Sequence, residues 1–599
     1  MQTKKLRKAA LLGSALASCA VLWGTVPAAG QPSDASKLLD PAYVARSACG
    51  PIPKRRTELY KPGYQLAAAQ AVAAGTPMVD PGPRLHDNLG TLSWPVTTRS
   101  PEAQRWFDQG LRLAFAFNHA EAARAFKKAQ ATDPTCAMCY WGEAYVLGPN
   151  INYPMMQDAV APAFAAIAQA MVLKAGASAP EQAVIEAMAA RYAADPLADR
   201  KALDAAYAEA MTEVAARYPA DDQIQVLLAD ALMNLQPWDY WQADRRTPKG
   251  RTAEQVAALE RVLQRSPDHP GAIHLYIHTV EASTTPERAE PHADQLGALM
   301  PGAGHLVHMP SHIYYRVGRY LDSLKANLAA AAADEAYLAG AQAQGIYPYG
   351  YYPHNVHFVL TSAQMASDGA SAVAAAEKLG RVMSDEVARQ VGWVEAIKTA
   401  PYFAHARFSA PADVLVLPQP GQDFPFVQGS WRYARAMAQI RAGDLAAAAE
   451  EAQRLDELAQ GSDFTRLEAW AVPAKEVLKI ASRVVGGQMA RAQGRHEEAI
   501  AALREAAALQ DGLPYMEPPY WYYPVRQTLA AALLEAGRAE EAAATFQASL
   551  IEAPNNALAL HGLMLAQEKL GDAAGAAATR ARFEQAWAGG AVPPELAQL

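Results

Sequence analysis

The sequence predicts an all-α fold: a right-handed α-solenoid of stacked antiparallel helix pairs with several loop insertions. Three observations carry that expectation. The 599 residues are 51% hydrophobic and only 19% charged, and alanine, the strongest helix former, supplies much of the apolar share. Small, aromatic and proline residues recur with a period of 34, the kind of spacing that marks a repeat array. Turn dipeptides punctuate the period: Gly318-Arg319, Gly443-Asp444, Gly494-Arg495 and Gly537-Arg538. Length alone would suggest about four domains, whereas one period running through the chain predicts a single array. The hydrophobic fraction excludes wholesale disorder, and a chain this long buries a core without a metal or disulfide framework. Four cysteines are too few for such a framework in any case. A net charge of −8 with both signs mixed argues against nucleic acid as a partner.

Residues 1–29 read as an export signal. Lys4, Lys5, Arg7 and Lys8 precede the apolar run 9–23, and Val26-Pro27-Ala28 supplies small residues before a cleavage point. Leu16-Ala17-Ser18-Cys19 also resembles a bacterial lipobox, so a soluble secreted or periplasmic protein and a lipid anchor at Cys19 are both open. Either places the mature chain outside the cytoplasm. No other segment approaches 18 uninterrupted apolar residues, so no transmembrane segment is expected. Residues 30–100, rich in Pro, Gly and Ser/Thr, read as an extended lead-in. The solenoid is expected over 101–590, and 591–599 as a tail.

Within 103–136, Trp106, Gly110, Ala122, Phe126, Ala129 and Pro134 fall at positions 4, 8, 20, 24, 27 and 32 of a 34-residue unit. The physical reading is a helical hairpin, with small residues where the helices cross and a proline that ends the unit. Gly571 follows Gly537 by 34 residues, and Pro301 follows Pro267 by the same interval. On these residues the chain resembles the tetratricopeptide (TPR) superfamily. Insertions at 236–251, holding Trp238, Tyr240 and Trp241, and at 340–353, rich in Tyr and Gly, interrupt the pattern.

Nine of the fourteen histidines lie between 269 and 357. With Pro270 as position 1, His274 and His278 take positions 5 and 9 of a first helix; with Gly304 as position 1, His308 and His312 take the same positions, and His305 takes position 2. Residues four apart stack on one helix face, and the TPR resemblance implies that positions 2, 5, 9 and 12 line the concave groove. Packed helices lie about 8–10 Å apart, so imidazoles from both helices are expected to meet at one ion. His354 and His357 open the next helix near the same groove, which is His-rich over 222–360. Asp230 and Glu281 are the carboxylates in register, either as ligands, as partners of ligands or as catalytic groups, and Asn234, Tyr315 and Tyr352 are further groove residues. Several neutral imidazoles, one or two carboxylates and no thiolate suit Zn, Cu, Ni or Fe rather than Mg or Ca. A peptide-binding groove whose histidines only hydrogen-bond or stack is the competing reading. His86, His119, His269, His292, His405, His496 and His561 read as packed or solvated residues.

The segments His274-Leu275-Tyr276-Ile277-His278, HLVHMPSHIYYRVGRY from His305 to Tyr320, and Tyr352-Pro353-His354-Asn355-Val356-His357-Phe358 resemble a narrower family of exported bacterial TPR proteins. That resemblance implies a grouping of motifs and attaches no reaction to them. Elsewhere, Cys136-x-x-Cys139 is open to packing, a structural disulfide or a redox role. Asn150 and Asn152 read mainly as capping residues, and the Tyr-rich insertion before His354 as a lid over the groove. No phosphate loop, nucleophile elbow, dinucleotide fingerprint, H-E-x-x-H or haem-attachment motif occurs, so no nucleotide or haem is expected. The function expected is a metal site in the groove, serving hydrolytic or oxidative chemistry on a small molecule or peptide. The alternative is a non-enzymatic scaffold for a peptide or envelope protein.

Overall fold

The computed structural model describes residues 82–340, 346–591 and 593–599. Every regular element among them is helical, and successive helices pair antiparallel, as in Pro101–Phe115 with His119–Thr132 and Val525–Glu535 with Ala539–Glu552. The export signal and Cys19 lie outside the described residues.

The hairpins are made by recurring local chemistry. Gly318, Gly443, Gly494, Gly537 and Gly571 all adopt positive φ of 71 to 82°, where a Cβ would be strained. After Gly318 the chain closes a Schellman motif: the Arg319 N–H donates to the Tyr314 carbonyl (2.8 Å) and the Gly318 N–H to that of Tyr315 (3.4 Å). After Gly443 and Gly571 the next helix starts on a side-chain cap: Asp444 accepts from the Ala447 N–H and Asp572 from the Gly575 N–H. Between the helices of a pair, small residues face aromatics. A Cβ on Gly110 or Gly142 would stand 2.7 or 2.4 Å from the Phe126 ring, and one on Gly562 only 2.1 Å from Phe546. Gly110 holds position 8 of its unit, which the period keeps small.

The array curls until distant repeats touch. Gly271 abuts the Phe115 ring, Asn555 Nδ2 donates to the Gly318 carbonyl (3.4 Å), and Arg245 and Glu552 lie 3.6 Å apart. Two hydrophobic cores result, one built mainly from residues 89–314 and one from 315–599. They meet along Gly304–His308 and Pro310–Val317, the helices that carry three of the clustered histidines.

Some segments depart from the regular period. Residues 385–415 break into the short helices Asp385–Gln390, Gly392–Ile397, Ala400–Phe408 and Pro411–Leu415. Residues 82–100 are non-helical and held to the first hairpin, with the Trp94 N–H donating to Asp108 (3.1 Å). The tail is docked: Leu599 is buried, and its carbonyl accepts from Thr528 Oγ1 (2.9 Å). One stretch, Gln157–Gly176, is long and apolar enough to cross a membrane, although Asp158, Gln169 and Lys174 interrupt its apolar run. Gln157–Gly176 has a mean hydropathy of 1.5, yet its core, Val160–Leu173, packs as a hairpin partner of Ala137–Leu147.

Candidate metal centre

Helix Pro270–Val280 begins with His269 as its cap, the Ala272 N–H donating to His269 Nδ1 (3.1 Å). It projects His274 and His278 from one face. Gly304–His308 and Pro310–Val317 run on through Met309 and supply His305, His308 and His312. Tyr352–Ala366, entered through Pro353, supplies His354 in its first turn. All but His354 of these six are buried.

The six imidazoles do not converge on one point. Three groups form among the described residues: His274, His278 and His305; His308, His312 and His354; and His278, Glu281 and His312. Within each group the donor atoms lie within 4.8 Å of one another. The expectation that His274, His278, His308 and His312 share one ion is therefore revised. The i, i+4 pairs separate because His305 and His354 complete one set each.

The Nδ1 atoms decide the tautomers. His274 Nδ1 lies 2.6 Å from the Phe115 carbonyl, a last-turn helix carbonyl with no intrahelical donor, and a carbonyl can only accept. His308 Nδ1 lies 2.6 Å from Asn327 Oδ1; the Asn327 amide is oriented by donation from Nδ2 to the Ser323 carbonyl (2.7 Å). Glu281 accepts from both His278 Nδ1 (2.7 Å) and His312 Nδ1 (2.6 Å). With the four Nδ1 atoms protonated, a neutral ring carries its lone pair on Nε2.

Burial, reinforced by neighbouring imidazoles, holds the His274, His305, His308 and His354 rings well below the usual histidine range. Burial also lowers His278, against the pull of Glu281. These are neutral, ligand-ready imidazoles. For Glu281, burial would raise the carboxyl, but the His312 ring and the hydrogen bonds from His278 and His312 outweigh it and bring it down to about 2. It is a buried carboxylate.

The Nε2 atoms then face each other. His308 Nε2 and His312 Nε2 are 2.9 Å apart, and His305 Nε2 and His274 Nε2 are 3.2 Å apart. His278 Nε2 and His305 Nδ1 are buried without a hydrogen-bond partner among the described residues. Two imidazole nitrogens on one ion, at bond lengths of 2.0–2.1 Å, would stand about 2.9–3.4 Å apart. The observed spacings match the edge of such a coordination shell.

A cleft open to solvent lies beside the cluster. Its walls include His278, His305, His312 and His354 together with Trp238, Trp393 and Trp470. Trp238, from the first insertion, meets the His278 ring edge-on at 5.0 Å. Tyr351, from the Tyr-rich insertion, meets His305 at 4.9 Å. That insertion forms a π-helical turn, Tyr347–Tyr351, in which Tyr351 is buried over the cluster.

The remaining expected site residues fall elsewhere. His357 is apart from all three groups; its Nε2 contacts the Tyr522 hydroxyl (3.1 Å), and burial lowers the ring to about 3. Asp230 joins none of the groups either. It accepts from Asn234 Nδ2 (3.2 Å) and, buried near Arg191 and Tyr145, is pushed up to about 6 by burial. Asn234 thus serves Asp230 rather than the histidines. Tyr315 packs on Tyr320 and Phe358 and lines a separate cavity. Tyr352 turns away to Glu335 (2.8 Å). Asn152, read as a cap, lines the cleft. Cys136 and Cys139 form a disulfide at the start of Ala137–Leu147.

Sequence reasoning missed Phe117 and residues 515–517, and took Tyr520, in the aromatic run 519–524, as packing. Phe117, at φ 54°, lies 4.5 Å from the His274 ring and 5.4 Å from that of His305. Tyr515, Met516, Glu517 and Tyr520 arrive from the far end of the array to wall the cleft. The Tyr515 hydroxyl lies 2.8 Å from Glu517 Oε1 and 3.2 Å from Glu281 Oε2. Glu517 Oε2 is buried without a hydrogen-bond partner among the described residues, and burial raises its carboxyl to about 7. No local pattern marks these residues; only the curl of the array brings them in.

A tetratricopeptide repeat family model matches residues 490–567. No curated protein matches the chain. Among solved structures, similarity is found to a human IFIT1 dimer with m7Gppp-AAAA, at 11% identity over 82% of this chain and 90% of that one, TM-score 0.30. It is also found to yeast Tom70, at 10% identity over 79% and 89%, TM-score 0.27. The TPR domain of P58(IPK) matches at 14% identity over 78% and 98%, TM-score 0.20. Likeness at this level says nothing of function. The chain is an α-solenoid in which residues 490–567 match the tetratricopeptide repeat.

Proposed function

We propose that the protein is an exported metalloprotein whose groove histidines hold a divalent transition metal, Zn, Cu, Ni or Fe, for hydrolytic or oxidative chemistry on a small molecule. The observation that carries this reading is the facing pair His308 Nε2 and His312 Nε2, 2.9 Å apart with both Nδ1 atoms already engaged. Opposed lone pairs in a buried site repel, and an unsatisfied buried acceptor costs about 1–3 kcal/mol; a cation between them removes both penalties. The residues fit such an ion well: imidazoles whose Nδ1 atoms are engaged by a carboxylate, a backbone carbonyl and an amide, leaving Nε2 for the ion.

A bound metal supplies Lewis acidity or an activated water or oxygen species at the cleft. This chain's own residues do the rest. Trp238, Trp393, Trp470 and Tyr351 offer flat apolar walls to a substrate and exclude water from the histidines. Glu281 holds His278 and His312 in register, and Glu517 presents a carboxyl to the cleft as the group placed to give or take a proton. Because a solenoid of this size is held by repeat stacking, the metal serves function rather than folding.

Elemental analysis of the protein purified from the native envelope, beside a His308→Ala/His312→Ala variant, tests the reading. A transition metal in the wild type, reduced or absent in the variant, is the expected result. A metal-free wild type that takes up no ion on titration would overturn it in favour of a peptide-binding scaffold.

A further inference from the structure

We propose that the cluster is a two-ion centre, each ion held by three imidazoles: one by His274, His278 and His305, the other by His308, His312 and His354. This rests on the metal reading above and extends it.

The first argument is geometric. An ion with bonds of 2.0–2.1 Å touches only atoms within about 4.2 Å of one another. Each set approaches that limit, its donor atoms lying within 4.8 Å, whereas the six do not form one group. Only small ring rotations are then needed to complete a shell in either set.

The second argument concerns Glu281, which belongs to the remaining group with His278 and His312. Its oxygens lie 2.7 and 2.6 Å from the two Nδ1 atoms. Ligands of a common ion would stand about 2.9 Å apart or more, so these are charge-assisted hydrogen bonds. Glu281 is therefore a brace with one oxygen on each set, and its Nδ1 contacts leave the Nε2 atoms of both histidines for metal.

Each set also has its own further anchor. The Phe115 carbonyl fixes His274 from the first helix of the array, and Asn327 fixes His308 from Tyr320–Gly340. The sets are neighbours: His278 and His312 have ring centroids 5.4 Å apart, and His305 and His308 5.7 Å. Both border the aromatic cleft, through His278 and His305 on one side and His312 and His354 on the other. Six imidazole donors without thiolate suit borderline first-row ions such as Zn(II) or Cu(II). A substrate in the cleft would border both ligand sets through these four histidines, and two ions held there would supply Lewis acidity from both sides.

The test is Zn(II) stoichiometry of the untagged full chain, measured by calorimetric titration and by elemental analysis after dialysis. The wild type should hold two Zn(II), and His274→Ala/His305→Ala and His308→Ala/His354→Ala should hold one each. One ion in the wild type, or two retained in either variant, would overturn the pair while leaving a metal function standing. No ion would overturn both readings. If a variant loses its helical CD, the wild type loaded with two Cu(II) decides. Neighbouring ions should couple, so the integrated signal of isolated Cu(II) in electron paramagnetic resonance falls far below the copper content. A full-intensity isolated signal would contradict the paired site.

Discussion

The Nε2 atoms of His308 and His312 stand 2.9 Å apart, although the Nδ1 atoms of both rings already donate, to Asn327 and Glu281 respectively. A helix places such rings near each other at i, i+4, but it does not dictate that both turn their lone-pair nitrogens inward. Partners on three other segments do that: Asn327, Glu281 and, for the neighbouring set, the Phe115 carbonyl. The site is pre-organised from outside the metal shell.

Glu281→Gln tests that pre-organisation. Glutamine has one acceptor oxygen, so either His278 or His312 loses its Nδ1 partner. Loss of such a brace typically costs 10- to 100-fold in metal affinity. Competition with a fluorescent chelator should show a fall of about that size with the helical CD unchanged.

Metal removal should leave the fold in place. Exhaustive chelation is expected to preserve helical CD while lowering the Tm, since a ligand at a thousand times its Kd adds only about 4 kcal/mol. Unfolding on chelation would mean that the metal, rather than repeat stacking, holds the array.

Asp334 predicts a pH effect of definite sign. Burial raises its carboxyl to about 7, partly offset by hydrogen bonds from Tyr347 (2.8 Å) and Asn355 (2.6 Å). A folded value above the unfolded 3.8 means that this group's stabilisation is complete below 3.8 and is lost as pH rises through 7. In Asp334→Asn that loss disappears, and Asn355, whose Oδ1 has no hydrogen-bond partner among the described residues, can rotate its amide to accept from the new one. Between pH 5 and 8 the variant should gain on the wild type by on the order of 2 kcal/mol in urea unfolding. A constant difference across that range would refute the assignment.

Gly318→Ala should destabilise the protein by about 1–3 kcal/mol. The residue sits at φ 80°, and a Cβ would stand 2.2 Å from the Pro554 carbonyl oxygen. Gly443 shares the φ but has nothing within 4 Å of such a Cβ, so Gly443→Ala should cost less. The difference, read from urea midpoints, measures the contact between repeats more than 200 positions apart.

What could be read from sequence follows the range of the interactions. The turn glycines and the small residue Gly110 that faces Phe126 are local, and the 34-residue period exposed them. The same period placed His274, His278, His305, His308 and His312 on one face, because helical geometry alone decides that. It could not divide them into two sets, since His354 and the Phe115 carbonyl join from other segments. His357, three residues after His354, turns instead toward Tyr522, and Asp230 is drawn into a separate polar cluster with Asn234, Tyr145 and Arg191. Phe117, Tyr515 and Glu517 enter through the curl of the whole array, which no 34-residue window contains.

X-ray absorption at the metal edge of the untagged full-length protein tests the central claim most directly. A shell of nitrogen atoms at about 2.0–2.1 Å, with the outer scattering of imidazole rings, is the result predicted from the facing Nε2 atoms. An oxygen-dominated shell lacking imidazole scattering would contradict it.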